Sequence, residues 1–338
     1  RSSSAGFGMK DLTPTDYLFT QFRSVVTYLR LFFLPFGQNI DYDFPISHSL
    51  GDHLSWLCLL ILAALTAAAW IYRKKLPLGA FGFFLFLILL APTSSIVPIR
   101  DVMVERRMYL PVFALSLCVI DFLRTRRLTV PALGTGLALV SVVLAVITWQ
   151  RNHVWASPIS LWADSVLNSP QKYRPRFQLA YAHYQAGACL DATKEYAEAA
   201  KLSPTPSYEL YVDWALAADC ANKSGEALSR LEDALRLEKS AHAWSLMGMV
   251  RAKTGDYDKA LEALAQGEKL NPRFPMIFVY RGNVHMARKE WDLAVVEFQK
   301  ALSVEPNDES ARQGLQKATA SRDRAKAMAE KKAAAAAK

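Results

Sequence analysis

Arg100, Asp101, Glu105, Arg106 and Arg107 all fall in one short segment, SSIVPIRDVMVERRMYLP (Ser94–Pro111). Adjacent arginines can clamp a phosphate, because the guanidinium fork offers parallel N–H donors that match its oxygens. Carboxylates beside them can orient a sugar or hold the arginines in place. The competing reading is a salt-bridge cluster that only fixes helix ends. A second polar segment, DYDFP, adds Asp41 and Asp43 as candidate contacts for a donor or an acceptor. Neither segment contains an assignable acid/base pair.

Other chemistry is sparser. The six histidines lack ligand spacing, so no metal is assigned. Four cysteines are too few for a disulfide framework, but Cys189 opens one expected helix and Cys220 closes the next. The two could meet as a disulfide in an oxidising compartment, or remain separate buried thiols. Asn222-Lys223-Ser224 is a glycosylation sequon on an inter-helix turn.

The elements that must carry these residues differ between the two halves of the chain. Leu54–Ile71, Leu76–Ile99 and Leu128–Trp149 are free of charge, and Met108–Leu123 contains only Asp121. A bilayer core takes about 20 apolar residues of helix, so four spans are expected, at about 54–72, 76–97, 108–123 and 128–149. Arg73-Lys74-Lys75 follow the first run, and Arg124, Arg126 and Arg127 the third. Two spans separate these clusters, and the positive-inside rule puts both in the cytoplasm. Residues 1–53, the loop near 97–107 and everything after Trp149 then lie outside. Tyr17–Phe36 is apolar but interrupted by Arg23 and Arg30. It reads as an amphipathic helix at the outer interface, or as a fifth span whose arginines face a polar cavity.

The second half repeats. Ala192, Ala227, Ala260 and Ala294 are spaced 35, 33 and 34 apart, and four residues after each stand Tyr196, Leu231, Leu264 and Phe298. Pro204, Pro272 and Pro306 close the first, third and fourth units, and Lys239 stands at that place in the second. Small residues let two helices approach, large apolar ones fill the groove against the next unit, and proline stops the second helix. This pattern resembles the tetratricopeptide repeat, with Trp244, Gly248, Gly255, Tyr257, Ala260 and Pro272 in register in the third unit. By repeat position the concave face should present Arg174, Phe177, Tyr181, Tyr184, Glu209, Val212, Leu216, His242, Met249, Met276, Val279 and Met286. Such a groove suits an extended peptide or a helix, unless the chain's own capping helix fills it.

The expected architecture is therefore all-α: a polytopic transmembrane helical domain followed by a tetratricopeptide-repeat α-solenoid. Residues 1–53 form an outer segment with its interfacial helix, 54–150 the four spans, and 151–172 a linker and N-capping helix. The repeats occupy about 173–207, 208–240, 241–274 and 275–306, and 307–338 form a capping helix and a basic Ala/Lys tail. The whole-chain averages, 52% hydrophobic and a net charge of +9 in 338 residues, blend these two halves. They exclude a disordered or collagen-like chain. The basic tail, the outer arginines and the cytoplasmic anchors together account for the charge, so nucleic acid is not inferred as a partner.

The strings TQFRSVVTYLRLFFLPFGQNIDYDFP and SSIVP…ERRMYLP, then a last apolar run, RNHVWASPISLWADSV and repeats, carry a further resemblance. The chain is similar to bacterial membrane proteins with C-terminal tetratricopeptide repeats. It also resembles their eukaryotic relatives, the transmembrane and tetratricopeptide-repeat O-mannosyltransferases. Glu105, Arg106, Tyr109, Leu110 and Pro111 match the family block. The resemblance implies sugar transfer from a polyprenyl-phosphate-linked donor to an outer-side protein, with Glu105, Arg106 and Tyr109 near the donor; it leaves any divalent cation undefined. The base carboxylate of such enzymes lies in a first outer loop. Since the chain starts at Arg1, that loop is expected upstream. The alternative is a non-catalytic membrane-anchored scaffold or assembly subunit of an envelope complex, with membrane lipids and a partner protein as its contacts. Either reading implies a bacterial inner membrane with periplasmic repeats, or an endoplasmic reticulum membrane with lumenal ones.

Overall fold

The computed structural model describes residues 5–7, 9, 12–126 and 129–336, without the side chains of 333, 334 and 336. Arg1, Arg127, Leu128 and the last two residues of the basic tail, all invoked above, lie outside the described residues. Among the described residues the regular structure is helical, and the only β pairing is an isolated bridge between Ala5 and Ile99. The chain divides into two compact units, Arg1–Pro175 and Arg176–Lys338.

The first unit holds α1 (Pro14–Phe33), α2 (Ser55–Tyr72), α3 (Pro77–Leu90), α4 (Pro111–Thr125), α5 (Val130–Val154) and α6 (Pro158–Asn168). Proline stands at the first or second position of all but α2, where a missing N–H costs nothing. Two helices, not the expected four, are long and apolar enough to cross a membrane: Asp52–Tyr72, which includes a 3₁₀ turn, and Val130–Val154. α3 has 14 residues and α4 has 15, about 21–23 Å of helix against a hydrocarbon core of about 30 Å. The physical reason lies at the end of α3. The charge-free run continues to Ile99, but Pro92 and the following Thr93-Ser94-Ser95 turn the chain after Leu90. Absence of charge reported apolarity there, not helix length.

α3 and α4 pack closely, because a Cβ at Gly82 would collide with the Ala114 carbonyl. At the far end of this pair the fully buried Asp121 accepts the Gly79 N–H at 2.8 Å and pairs with Arg124 at 3.0 Å. That contact caps the start of α3. It also brings the Arg73–Lys75 and Arg124–Arg126 clusters to one end of the pair.

α1 packs one face into this unit. Its buried face is Tyr17, Thr20, Gln21, Ser24, Val25, Tyr28 and Leu31, a partly polar stripe. Three of the polar members donate to main chain of the 91–110 segment: Tyr17 to the Thr93 carbonyl at 2.5 Å, Gln21 to Val102 at 2.9 Å and Tyr28 to Val104 at 3.0 Å, while Thr20 and Ser24 donate to carbonyls of α1 itself. Buried polar groups persist when partnered in this way. Arg23 donates to the Pro45 carbonyl at 2.7 Å and lies over the Phe44 ring, and Arg30 donates to the Phe36 carbonyl at 2.9 Å.

The second unit is a stack of helical hairpins. Its first helices are α7 (Tyr173–Gln185, which starts just before the unit boundary), α9 (Tyr208–Cys220), α11 (Ala241–Lys253) and α13 (Pro275–Ala287), each of 13 residues. The second helices are α8 (Cys189–Leu202), α10 (Ser224–Leu237), α12 (Tyr257–Leu270) and α14 (Trp291–Val304), each of 14. Within each hairpin a residue in the left-handed region makes the turn: Gly187, Asn222, Gly255 and Lys289. The repeated alanines Ala192, Ala227, Ala260 and Ala294 are fully buried, as are Tyr196, Leu231, Leu264 and Phe298. Gly248 sits where a Cβ would fall 2.6 Å from Leu264 Cγ, so a side chain would force the hairpin apart. These are tetratricopeptide-type hairpins, and α15 (Glu309–Ala336) packs on the last of them through Ala311, Leu315 and Ala318.

Candidate functional site

Each unit contains a cluster of the residues singled out by sequence. In the first, the charged segments build a connected network. Asp41, 3% exposed, accepts Lys172 Nζ at 2.6 Å and Arg174 Nε at 2.5 Å, and Arg174 reaches on to Asp101 at 2.9 Å. Burial alone would raise the Asp41 carboxyl, but hydrogen bonds from Arg174 and Lys172 outweigh it and hold the group below the usual carboxylate range. Arg174 is raised in turn, chiefly by its bond to Asp41. Asn39 completes the arrangement, donating to Ser169 Oγ and accepting from Ser165 Oγ, both at 2.7 Å. Asp43 is exposed, and its N–H donates to Ser169 Oγ at 2.8 Å.

The arginine pair is split by this geometry. Arg107 turns inward and donates to the carbonyls of Asp101 at 2.6 Å and Val102 at 3.0 Å, so it braces its own loop. Arg106 is 76% exposed with a 3.6 Å contact to Asp101, and Arg100 is exposed. Glu105 accepts the Asn39 N–H at 2.7 Å and the Tyr42 hydroxyl at 2.5 Å. Burial, then the Glu105 hydrogen bond, raises the Tyr42 phenol far above its ordinary value. A cavity of about 670 Å³ opens beside these groups, walled by Leu31, Phe32, Met108 and Val112 with Arg106 and Tyr109 among its lining. Tyr109 is 89% exposed.

In the second unit the groove candidates separate into two groups. Phe177 is half-buried, and its ring meets the fully buried Tyr196 edge-on at 5.6 Å within the first hairpin. Met286 packs on the last hairpin's core, and Leu216 and Met249 lean on the second and third. Tyr181 is 43% exposed, and Tyr184 and Met276 are half-buried. His242 lies 3.5 Å from the Tyr208 hydroxyl with its ring against Phe274, and partial burial lowers its imidazole below the ordinary value. Cys189 and Cys220 are joined by a disulfide with a Cα separation of 5.7 Å, which ties the first hairpin to the second.

Three groove residues were not anticipated: Asp213, Asp219 and Tyr280. Burial, then Asp213 and Asp219, raises the Tyr184 phenol, and burial, then Asp219 and Tyr184, raises that of Tyr280. These groups come from α7, α9 and α13, and Lys253 of α11 pairs with Asp219 at 3.2 Å. The first helices of all four hairpins thus converge on one face. A signal existed in the sequence, since Glu209, Asp213, Leu216 and Cys220 follow helical spacing on one side of α9.

No family model matches the chain. Among curated proteins it is 25% identical over 142 residues to Protein bimA of Emericella nidulans, a match covering 41% of this chain. The match spans 17% of that relative's length. Among solved structures it is similar to MamA (25% identity, 44% of this chain and 86% of the other, TM-score 0.40). It is also similar to TTC0263, a thermophilic TPR protein of Thermus thermophilus (23%, 52% and 95%, TM-score 0.41). A third is YrrB, described as a TPR protein with an unusual peptide-binding site (15%, 52% and 88%, TM-score 0.40).

Proposed function

We propose that the protein is a membrane-anchored repeat scaffold whose tetratricopeptide-type hairpins hold a partner protein. The observation that carries this reading is the convergence of Tyr181, Tyr184, Asp213 and Tyr280 from the first helices α7, α9 and α13, with Tyr181 open to solvent. Rigid aromatic side chains beside a few polar groups are what peptide-binding surfaces present. Support for the anchor comes from α5, 25 residues long with none buried, because so much exposed apolar surface calls for lipid or protein cover. The disulfide favours an oxidising compartment for the repeats, in keeping with the basic clusters at the other side of the membrane.

The test is site-specific photo-cross-linking in cells. A photoreactive residue in place of Tyr181 should give a discrete adduct, and one in place of Leu190, exposed on the second helix α8, should not. Equal adducts at both positions would refute a groove partner. Alkaline carbonate should leave the chain in the membrane pellet, and release to the supernatant would refute the anchor.

One observation favours a second reading, that the chain contributes to a lipid-linked-sugar glycosyltransferase: the apolar cavity with Arg106 and Tyr109 in its lining. An apolar wall suits a polyprenyl chain and a guanidinium suits its phosphate. Replacing Arg106 by Ala in the intact gene should then lower the mass of outer-side glycoproteins, and unchanged masses would remove this reading.

A further inference from the structure

A cavity of about 620 Å³ opens between the second and third hairpins, lined by α10, α11 and α12. Its floor is apolar. Met247 and Ala263 are buried there, and the half-buried Trp244 lies close to α12 because Gly267 has no Cβ, which would stand 3.3 Å from that of the tryptophan. Trp244, Met247 and Arg251 follow helical spacing along the cavity, so it runs for two turns of α11, about 10 Å. The charges on its walls are sorted along that length. Arg236 and Lys239 stand at the end where α10 finishes and α11 begins, and Glu232 and Glu262 stand with Arg251 toward the other. Arg236 is held by Asp233. Lys239, Glu232 and Glu262 are exposed, and their side chains make no hydrogen bond or ion pair among the described residues. Lys239 also departs from the repeat, since Pro204, Pro272 and Pro306 hold its place in the other units. Packing of the hairpins does not ask for a cation there.

We infer that this cavity docks a helical segment of a partner protein, with an acidic side chain toward Lys239, a basic one toward Glu232 and Glu262, and apolar side chains between them. The spacing selects a helix. Residues seven apart on a helix share one face and stand about 10 Å apart, with two apolar positions between them to meet Trp244 and Met247. About three residues of extended chain cover the same length, and residues three apart point to opposite sides. The charges select the sequence: a segment with like charges at both ends is repelled at one of them. This surface is separate from the first-helix groove, so its failure leaves the groove reading standing, and the reverse holds too.

The experiment uses the full chain in nanodiscs of neutral lipid, with empty discs as background, and fluorescent sixteen-residue helical peptides. Each peptide has leucine at positions i+3 and i+4. Positions i and i+7 are glutamate and lysine, two lysines, two glutamates or two glutamines. The glutamate–lysine peptide should bind about fivefold more tightly than either like-charged peptide, read by anisotropy. Lys239→Glu should move the preference to the two-lysine peptide. Glu232→Lys with Glu262→Lys should move it to the two-glutamate peptide. All three positions are exposed, and thermal unfolding checks that each variant folds. Equal binding of the four peptides would overturn the charge pattern. A preference that neither variant moves would overturn the placement in this cavity. Binding of no peptide above the empty discs would overturn the docking surface itself.

Discussion

Each unit holds a carboxylate at least half out of water, and the two are treated in opposite ways. Asp41 in the first unit is enclosed by Lys172 and Arg174 and stays ionised more readily than a free aspartate. Asp213 in the second has Glu209 for a neighbour and no cation, and its carboxyl rises to about 6. The same residue type thus closes a structural network in one place and leaves a charge unanswered in the other. A buried charge with every partner in place argues for architecture.

The largest expected effect comes from opening the closed network. Asp41→Ala leaves Arg174 only Asp101 and Lys172 only the Tyr42 carbonyl and should cost about 3 kcal/mol, read as faster hydrogen exchange in residues 39–43 and 165–174. Unchanged exchange there would mean the network is ornamental. Close to it in size is the disulfide. Its ends are 31 residues apart, and replacing both cysteines by serine should lower the stability of the second unit by about 3 kcal/mol, seen as an earlier thermal transition. Gly248→Ala should cost about 2 kcal/mol, because the new methyl meets Leu264; denaturant titration reads it, and Gly225→Ala, where nothing lies within 4 Å, is the control.

The smallest effect is the most diagnostic. With its folded pKa raised from 3.8 to about 6, Asp213 binds its proton more tightly when folded. The group therefore opposes folding above pH 6 and ceases to do so below about 4. Asp213→Asn should stabilise the chain by about 1 kcal/mol at pH 7, solvent screening the remainder of the shift, with the gain vanishing between pH 6 and 4. Asp41 has the opposite sign: its folded pKa lies below 3.8, so its contribution is whole at neutral pH and is lost only below that value. Urea titrations of the two variants across pH should separate them, and parallel profiles would collapse the comparison.

How far the sequence could be read follows from the same physics. The hairpins were legible because each repeats one packing problem, with a buried alanine and a large apolar residue four places on. Ala227 with Leu231 and Ala260 with Leu264 could be aligned without knowing the fold. The first unit resisted because its determinants are not periodic. Apolarity carried the reader past Pro92, where α3 has already ended. Charge density flagged Arg106 and Arg107 alike, and only three-dimensional geometry shows that Arg107 is consumed by main-chain carbonyls. Asp41 was visible as a polar residue, but its partners stand 131 and 133 positions away. No local pattern links them.

The tyrosine and glutamine stripe of α1 has a consequence for how this protein can vary. Thr93, Val102 and Val104 are held through their carbonyls, which every residue possesses, whereas Tyr17, Gln21 and Tyr28 act through side chains. The instructions for the shape of the irregular segment are thus written elsewhere, in a helix some seventy to eighty positions earlier. Along that segment, the exposed side chains Arg100, Arg106 and Tyr109 are free to change chemistry while the path of the backbone is kept. A mould of this kind lets the cavity wall acquire new specificities without the loop being redesigned, so long as the helix that casts it is left alone.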